Sequence, residues 1–146
     1  AAQVLHPVLA ALISEELAGI SGRVVDLTLE YVKTRKQFAV PVGTFQAVQH
    51  RLADMHLQTE AMRALASFAS WAAQSSKEQS ELASRAALSF ACEQAPQVIE
   101  GAIQMHGGIG FTWEYELHLA LRRAKMLEML FGSNEASQQK LIQAAR

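Results

Sequence analysis

Basic residues cluster where the first helical pattern of the chain ends. Lys33, Arg35 and Lys36 lie there, and Phe38 follows just beyond them. On structural grounds, cations at a helix C-terminus interact favourably with the negative end of the helix dipole. On functional grounds, the planar guanidinium of Arg35 is suited to binding a phosphate through two parallel hydrogen bonds. The residue types alone leave both interpretations open.

A glycine-rich turn is the second feature with the chemistry of a ligand site. Residues 104–110 read Gln-Met-His-Gly-Gly-Ile-Gly. Glycines relax the restriction on φ, and their N–H groups can approach a phosphate or a planar ring closely. The turn follows a helical pattern, so it does not match the strand–turn–helix fingerprint of dinucleotide-binding domains. Glycine turns also join helices for purely structural reasons.

The spacing of the histidines and the surroundings of the one cysteine give little support to metal or thiol chemistry. The five histidines form no pair at the i, i+4 spacing of helical metal sites. Cys92 is the only cysteine, and it lies in an alanine-rich run beside Glu93. A reactive thiol needs electropositive surroundings, so we interpret Cys92 as a buried core residue. A single cysteine is compatible with a reducing compartment, and we expect a cytoplasmic protein.

Glu16 is the carboxylate whose position best suits a catalytic base. It lies between Ile13 and Leu17, at the edge of an apolar helical stripe. Partial burial would raise the pKa of this carboxylate and let it accept a proton near neutral pH. The alternative is a glutamate at the boundary of the core that pairs with a cation.

Length and composition indicate one domain and exclude several classes of protein. The chain has 146 residues, of which 50% are hydrophobic and 18% are charged, with a net charge of −1. This length can bury a core without disulfides. The charge balance argues against a nucleic-acid-binding protein, and the apolar content argues against disorder. No run of residues is apolar enough for a membrane span or a signal peptide. A start at Ala1 suggests a piece of a longer protein.

Apolar residues at spacings of three and four predict helices over most of the chain. The first helix covers about residues 3–35, with Pro7 in its first turn. Residues 39–43 contain a proline and a glycine that interrupt the pattern. Thr44 is then a candidate N-cap for a second helix that ends near Ser75. No segment shows the alternation that predicts a strand.

A third helix is expected to follow at once. Ser75 and Glu78 have the spacing of a capping box, and the apolar pattern then continues to about His106. Its core-facing side is rich in alanine, which allows a neighbouring helix to approach closely. Pro96 lies well inside this pattern, so we expect a kink or a local break there.

A fourth helix is predicted after the glycine turn. Thr112 is its candidate N-cap, and Glu114 and Glu116 would lie in its first turn, where negative charge suits the helix dipole. It ends near Leu130, and a short fifth helix begins near Glu135. The predicted fold is therefore all-α, an antiparallel four-helix bundle with a short fifth C-terminal helix in a single domain over residues 1–146.

Three blocks of sequence resemble the C-terminal helical domain of the acyl-CoA dehydrogenase family, in the family's order and at its spacing. The first runs over residues 31–55 and includes Arg-Lys-Gln-Phe, Phe-Gln and Leu-Ala-Asp-Met. The second is Ala-Ile-Gln-Met-His-Gly-Gly-Ile-Gly-Phe-Thr over residues 102–112, and the third is Leu-Arg-Arg-Ala-Lys over residues 121–125. Together they span nearly the whole chain.

The resemblance implies a flavoenzyme. Members of this family bind FAD and oxidise acyl-CoA thioesters to 2,3-enoyl products. A carboxylate base removes the α-proton, hydride passes to flavin N5, and the electrons leave to an electron-transfer flavoprotein. Members assemble as tetramers built from dimers. Each chain has three domains, of which this chain resembles the last, and that domain contacts the FAD of the neighbouring subunit.

The resemblance also implies roles for individual residues. Arg35 would meet the FAD pyrophosphate, Phe38 would pack against the adenosine half, and Gln46 would form a hydrogen bond nearby. Three residues of the glycine turn would cradle the adenine–ribose end through backbone and amide contacts: Gln104, Gly107 and Gly108.

The chain departs from the family at the catalytic base. The usual glutamate position after the basic stretch is occupied by Phe131, and an alternative position on the first helix is occupied by Leu9, followed by Ala10 where an arginine is usual. Arg123 replaces a usual aspartate, and Ala39 replaces a usual glycine. The hydrocarbon side chains of phenylalanine and leucine cannot accept a proton.

Three functional hypotheses follow. The first is a competent dehydrogenase whose base is Glu16 or a residue outside this segment. The second is a base-less subunit of a heteromeric dehydrogenase, which completes a partner's FAD site and performs no chemistry itself. The third is a helical binding module unrelated to flavin. Under the first two, the isolated 146 residues are expected to fold and not to turn over substrate.

Overall fold

Four long helices make up most of the structure. It is a computed structural model that describes residues 6–75, 77–113 and 115–131. For residues 77 and 78 it describes the backbone and not the side chains. The helices are α1 (Pro7–Thr34), α2 (Gln46–Ser75), α3 (Lys77–His106) and α4 (Leu117–Phe131). α1, α2 and α3 pack on one another, and α4 packs on α3 and α1. The predicted all-α antiparallel four-helix bundle is confirmed. The fifth helix expected from Glu135 falls outside the described residues.

The core is built from the faces that the apolar spacing predicted. Leu17, Met55, Met62 and Ile99 are among the largest fully buried side chains. The alanine-rich side of α3 is buried as well, so small side chains bring its backbone close to its neighbours. Its members are Ala83, Ala87, Ala91, Ala95 and Ala102. This apolar packing fixes how the ends of the helices lie relative to one another.

A short hairpin joins α1 to α2. Its strands are β1 (Lys36–Gln37) and β2 (Val40–Pro41), which pair antiparallel. The two residues between them, Phe38 and Ala39, have positive φ angles of 53° and 66°, as in a type I′ turn. The expectation of no strand was wrong here. Strands of two residues are too short to show an alternating pattern, so the sequence carries no periodic signal for them.

The two threonines predicted as N-caps close the preceding turns instead. Thr44 ends a 3₁₀ turn (Val42–Thr44), and its hydroxyl donates to the Pro41 carbonyl at 2.7 Å. Thr112 follows a second 3₁₀ turn (Gly107–Phe111), and its hydroxyl donates to the Ile109 carbonyl at 2.8 Å. A threonine hydroxyl can donate as well as accept, and here each satisfies a carbonyl behind it. The helices consequently begin later than predicted, α2 at Gln46 and α4 at Leu117.

Two further expectations concern α3 and the start of α4. α3 runs from Lys77 to His106 with Pro96 inside it, so the local break did not occur; the flanking Ala95 and Val98 are fully buried, and this packing holds the helix together. The Glu78 side chain of the predicted capping box lies outside the described part of the chain, as does Glu114. Glu116 immediately precedes α4, whose first turn contains no acidic residue.

None of the described helices combines the length and the apolar character that crossing a membrane requires.

Candidate functional site

The end of α1 is tied to the end of α3 by two aromatic side chains. The Tyr31 hydroxyl donates to the His106 carbonyl at 3.3 Å, and the two rings stack with their centroids 4.2 Å apart. Tyr115 packs edge-on against both rings. Arg35 lies one helical turn beyond Tyr31, and Gly107 directly follows His106. The joint therefore places the predicted anion site and the glycine turn at the same end of the bundle.

His106 is a structural residue of this joint. Its side chain is buried, and Nδ1 lies 2.8 Å from the Ala102 carbonyl. Burial lowers the pKa of His106, and the hydrogen bond to Ala102 offsets this only in part. Because a carbonyl can only accept, the neutral ring carries its proton on Nδ1. Nε2 is buried without a hydrogen-bond partner among the described residues.

The glycines of the turn divide into two kinds. Gly107 has a φ of 65°, and no heavy atom lies within 4 Å of the point where a Cβ would stand on Gly107 or on Gly108. Both are exposed, so their backbone is open to a ligand. A Cβ on Gly110 would instead stand 2.9 Å from the Ile103 carbonyl oxygen. Gly110 therefore serves packing, whereas Gly107 and Gly108 are available for binding.

A cavity of about 490 Å³ lies between the hairpin, the first turns of α2 and the last turns of α3. Phe38 and Gln104, predicted separately as ligand contacts, both line it, and Gln37, Phe45 and Arg51 contribute further polar and aromatic groups. Its volume is in the range of small-molecule sites, about 300–1,000 Å³. Phe38 is 88% exposed, a large apolar surface that a bound planar ring would cover.

The other predicted contacts lie around this cavity and do not line it. Arg35 is exposed, its backbone carbonyl accepts from the Val42 N–H at 2.8 Å, and its guanidinium forms no ion pair with the described carboxylates. Gln46 is exposed as the first residue of α2, between two residues that line the cavity. The structure thus brings Phe38 and Gln104 together, and leaves the Arg35 side chain free for a ligand outside the cavity.

Sequence reasoning missed Arg51. Its Nη2 donates to the Gln97 carbonyl on α3 at 3.3 Å, and its guanidinium lies against Gly101. Arg51 lines the same cavity as Gln104. The pattern offered no signal for it, because its contacts depend on the packing of α2 against α3.

The Cys92 thiol is buried, as expected, and far from reactive. Burial, followed by the charge of Glu128, raises its pKa to about 11. The thiolate is the nucleophilic form, so Cys92 is protonated at neutral pH. Among the described residues, no three His, Cys, Asp or Glu side chains are grouped as a metal site.

Glu16 does not have the properties of a base. It forms a two-pronged ion pair with Arg123 on α4, with Nε to Oε1 at 2.6 Å and Nη2 to Oε2 at 2.9 Å. The hydrogen bond from Arg123 lowers the pKa of Glu16, and it outweighs the opposing effect of burial. The expectation of a raised pKa was wrong, because the arginine that replaces the family's usual aspartate stabilises the charged carboxylate.

The two positions where the family places a base lie at the same end of the α1–α4 pair. Arg23 pairs with Glu116, and Glu16 pairs with Arg123, so the two helices run antiparallel. The step from Arg23 to Glu16, repeated along α1, reaches Leu9. The step from Glu116 to Arg123, repeated along α4, reaches the end of that helix, where Phe131 lies. Leu9 is 43% exposed, and Phe131 packs against the core. This end of the pair is apolar at both positions.

Comparison with known proteins decides the family. The sequence profile of the acyl-CoA dehydrogenase C-terminal domain matches residues 10–146. The chain belongs to the acyl-CoA dehydrogenase family. One curated relative is the acyl-CoA dehydrogenase IpdE2 of Mycolicibacterium smegmatis, which is 36% identical to this chain over 130 residues. The match covers 89% of this chain and 40% of that protein.

Two solved structures have the same fold as this chain. Butyryl-CoA dehydrogenase from Megasphaera elsdenii is 30% identical with a TM-score of 0.88, covering 93% of this chain and 35% of that chain. A chain of the ChsE4-ChsE5 complex from Mycobacterium tuberculosis is 27% identical with a TM-score of 0.85, covering 94% of this chain and 37% of that chain. This acyl-CoA dehydrogenase domain therefore spans well under half the length of the relatives it matches.

Proposed function

We propose that this chain is the FAD-contacting and oligomerising domain of a longer acyl-CoA dehydrogenase, which oxidises acyl-CoA to 2,3-enoyl-CoA in the cytoplasm. An electron-transfer flavoprotein takes up the electrons. The observation that supports this most is the convergence of Phe38 and Gln104 on one cavity. The exposed backbone of Gly107 and Gly108 at the same end of the bundle adds to it.

The residues at this end fit an adenine dinucleotide cofactor. Arg35 has no carboxylate partner among the described residues, so its guanidinium is free to bind the pyrophosphate. Phe38 offers an exposed ring to the adenosine half, and the amides of Gln46 and Gln104 both donate and accept hydrogen bonds. FAD bound there would supply the hydride acceptor of the reaction. These residues bind and orient it, and the neighbouring subunit completes the site.

A second candidate function is a base-less subunit of a heteromeric dehydrogenase. It is favoured by the apolar side chains at both base positions, Phe131 and Leu9, and by the lowered pKa of Glu16. Such a subunit would complete the cofactor site of a partner that carries the carboxylate base. One of the structures that this chain is similar to is described as a complex of two named proteins.

Purification of the complete protein, alone and with the product of a neighbouring dehydrogenase gene, separates these functions. The expected preparation is yellow, and acyl-CoA bleaches its flavin under anaerobic conditions. Bleaching by the protein alone supports a competent enzyme. Bleaching only with the partner supports the base-less subunit. A complete protein that never retains flavin in any pairing contradicts both functions.

A further inference from the structure

Arg51 is the only cation among the described residues that line the 490 Å³ cavity, and no carboxylate lines it. We infer that Arg51 is an additional binding residue of this site, which donates a hydrogen bond to the adenine-nucleotide half of the cofactor. This inference rests on the proposed FAD function. It adds a contact to those expected from the hairpin, from Gln46 at the start of α2 and from the glycine turn.

The guanidinium of Arg51 is held in place by α3. Nη2 donates to the Gln97 carbonyl at 3.3 Å. A Cβ on Gly101 would stand 2.9 Å from Nη2 and 3.0 Å from Nε, so the absence of a side chain at Gly101 admits this edge of the guanidinium. Nη1 forms no hydrogen bond, and no carboxylate lies within ion-pair distance, among the described residues. Arg51 is therefore positioned, with donors to spare.

Arg63 on the same helix shows what an arginine with a purely structural role looks like. It too lies against a glycine, because a Cβ on Gly22 of α1 would collide with its guanidinium. Arg63 is paired, however, with Glu60 at 2.7 Å, and it does not line the cavity. The two arginines share a helix and a mode of packing, and they differ in charge compensation and in access to the cavity.

The chemistry around Arg51 fits a nucleotide. Phe38 and Phe45 lie edge to face, with their centroids 6.4 Å apart, and offer an aromatic wall. The amides of Gln37 and Gln104 donate and accept, as the edge of an adenine ring requires. A guanidinium only donates, and the N1, N3 and N7 ring nitrogens of adenine, the ribose oxygens and the phosphate oxygens can accept. A charged donor without a counter-ion is a strong contact for such groups.

The test compares binding of ADP and of FMN to the flavin-free form of the complete protein in its native assembly. ADP carries the adenine half without the flavin, and FMN carries the flavin without the adenine. Arg51→Gln is expected to weaken ADP binding about tenfold, as for the loss of one charged hydrogen bond, and to leave FMN binding unchanged. Gly101→Ala keeps every charge and displaces the guanidinium, so it is expected to weaken ADP binding in the same direction.

Arg63→Gln and Gly22→Ala are the matched controls, and both are expected to bind ADP as the wild type does. Arg51→Gln and Gly101→Ala binding ADP with wild-type affinity would overturn the inference and leave the proposed function intact. Equal weakening by Arg51→Gln and Arg63→Gln, or equal loss of ADP and FMN affinity, would overturn it as well. A wild-type assembly that binds neither ADP nor FAD would overturn both the inference and the proposed function.

Discussion

The environment of Glu16 shows how one neighbouring side chain decides what a carboxylate can do. By position it borders the core, where partial burial favours protonation. Arg123 reverses this with two short hydrogen bonds. The pKa of Glu16 is consequently below its ordinary value of 4.5, so this carboxylate is charged at neutral pH.

Removal of the arginine should reverse that shift. In Arg123→Gln the guanidinium is lost while burial remains, so the pKa of Glu16 is expected to rise relative to the wild type. The measurement is an NMR titration of the Glu16 carboxyl. Arg122→Gln is the control, because Arg122 forms no ion pair within the described part of the chain and should leave the titration unchanged. A wild-type Glu16 that titrates above 4.5 would contradict the ion pair.

Ala39 is a second residue whose local geometry has a measurable consequence. Its φ of 66° is in the left-handed region, which costs a residue with a side chain about 1–2 kcal/mol. Ala39→Gly removes that cost. Glycine also raises the conformational entropy of the unfolded chain, which destabilises the folded state by about 0.4–1 kcal/mol. The net expectation is a stabilisation of about 0.5–1 kcal/mol.

Urea unfolding of the domain measures this change in the free energy of unfolding. Ala64→Gly is the matched control, because Ala64 is exposed in the middle of α2 and glycine there is expected to destabilise by about 1 kcal/mol. If both substitutions destabilise equally, the positive φ at Ala39 is not a property of the folded protein.

Among the elements, the joint between α1 and α3 contains a group whose protonation changes near neutral pH, His106. Because the pKa of His106 in the folded protein is below its ordinary value of 6.5, the folded state binds a proton less readily than the unfolded chain. The stability from neutral His106 is present above about pH 6.5, and it is lost as the pH falls below that value towards the lowered pKa.

The free energy of unfolding of the domain, measured from pH 8 to pH 5, is therefore expected to decrease below about pH 6.5. His106→Phe keeps a ring that can stack on Tyr31 and removes the titrating group, so the decrease should be smaller in this variant. His50→Phe, at an exposed position on α2, is the control and should keep the wild-type slope. An equal slope in wild type and His106→Phe would show that His106 does not control the stability.

The elements also show what could be predicted from the sequence. The four helices could be predicted, because buried positions recur every three to four residues along each helix and apolar residues occupy them in the sequence. The hairpin at residues 36–41 could not, since two-residue strands have no period. The predicted N-caps at Thr44 and Thr112 were wrong because a threonine hydroxyl can donate to a carbonyl earlier in the chain as well as accept from an N–H later in it. Arg51 was missed because its neighbours come from another helix.

At the scale of the whole molecule, the chain is a helical bundle that matches the C-terminal domain of the family and covers 40% of the relative IpdE2. Under the proposed function, the bundle holds one side of a shared site, and the rest of the chemistry lies outside this segment. The isolated chain is expected to unfold cooperatively on heating, and to show no dehydrogenation of acyl-CoA with an artificial electron acceptor. Measurable turnover by the chain alone would contradict the division of the site between subunits.

The most direct test of the central claim is a high-resolution structure of the complete protein in its native assembly with FAD bound. The FAD pyrophosphate is expected next to Arg35, and its adenosine half in the cavity beside Phe38 and Gln104, with the flavin ring reaching into the neighbouring subunit. FAD held entirely within one subunit and remote from Arg35 and Gly107, or those residues buried against an unrelated surface, would contradict the account.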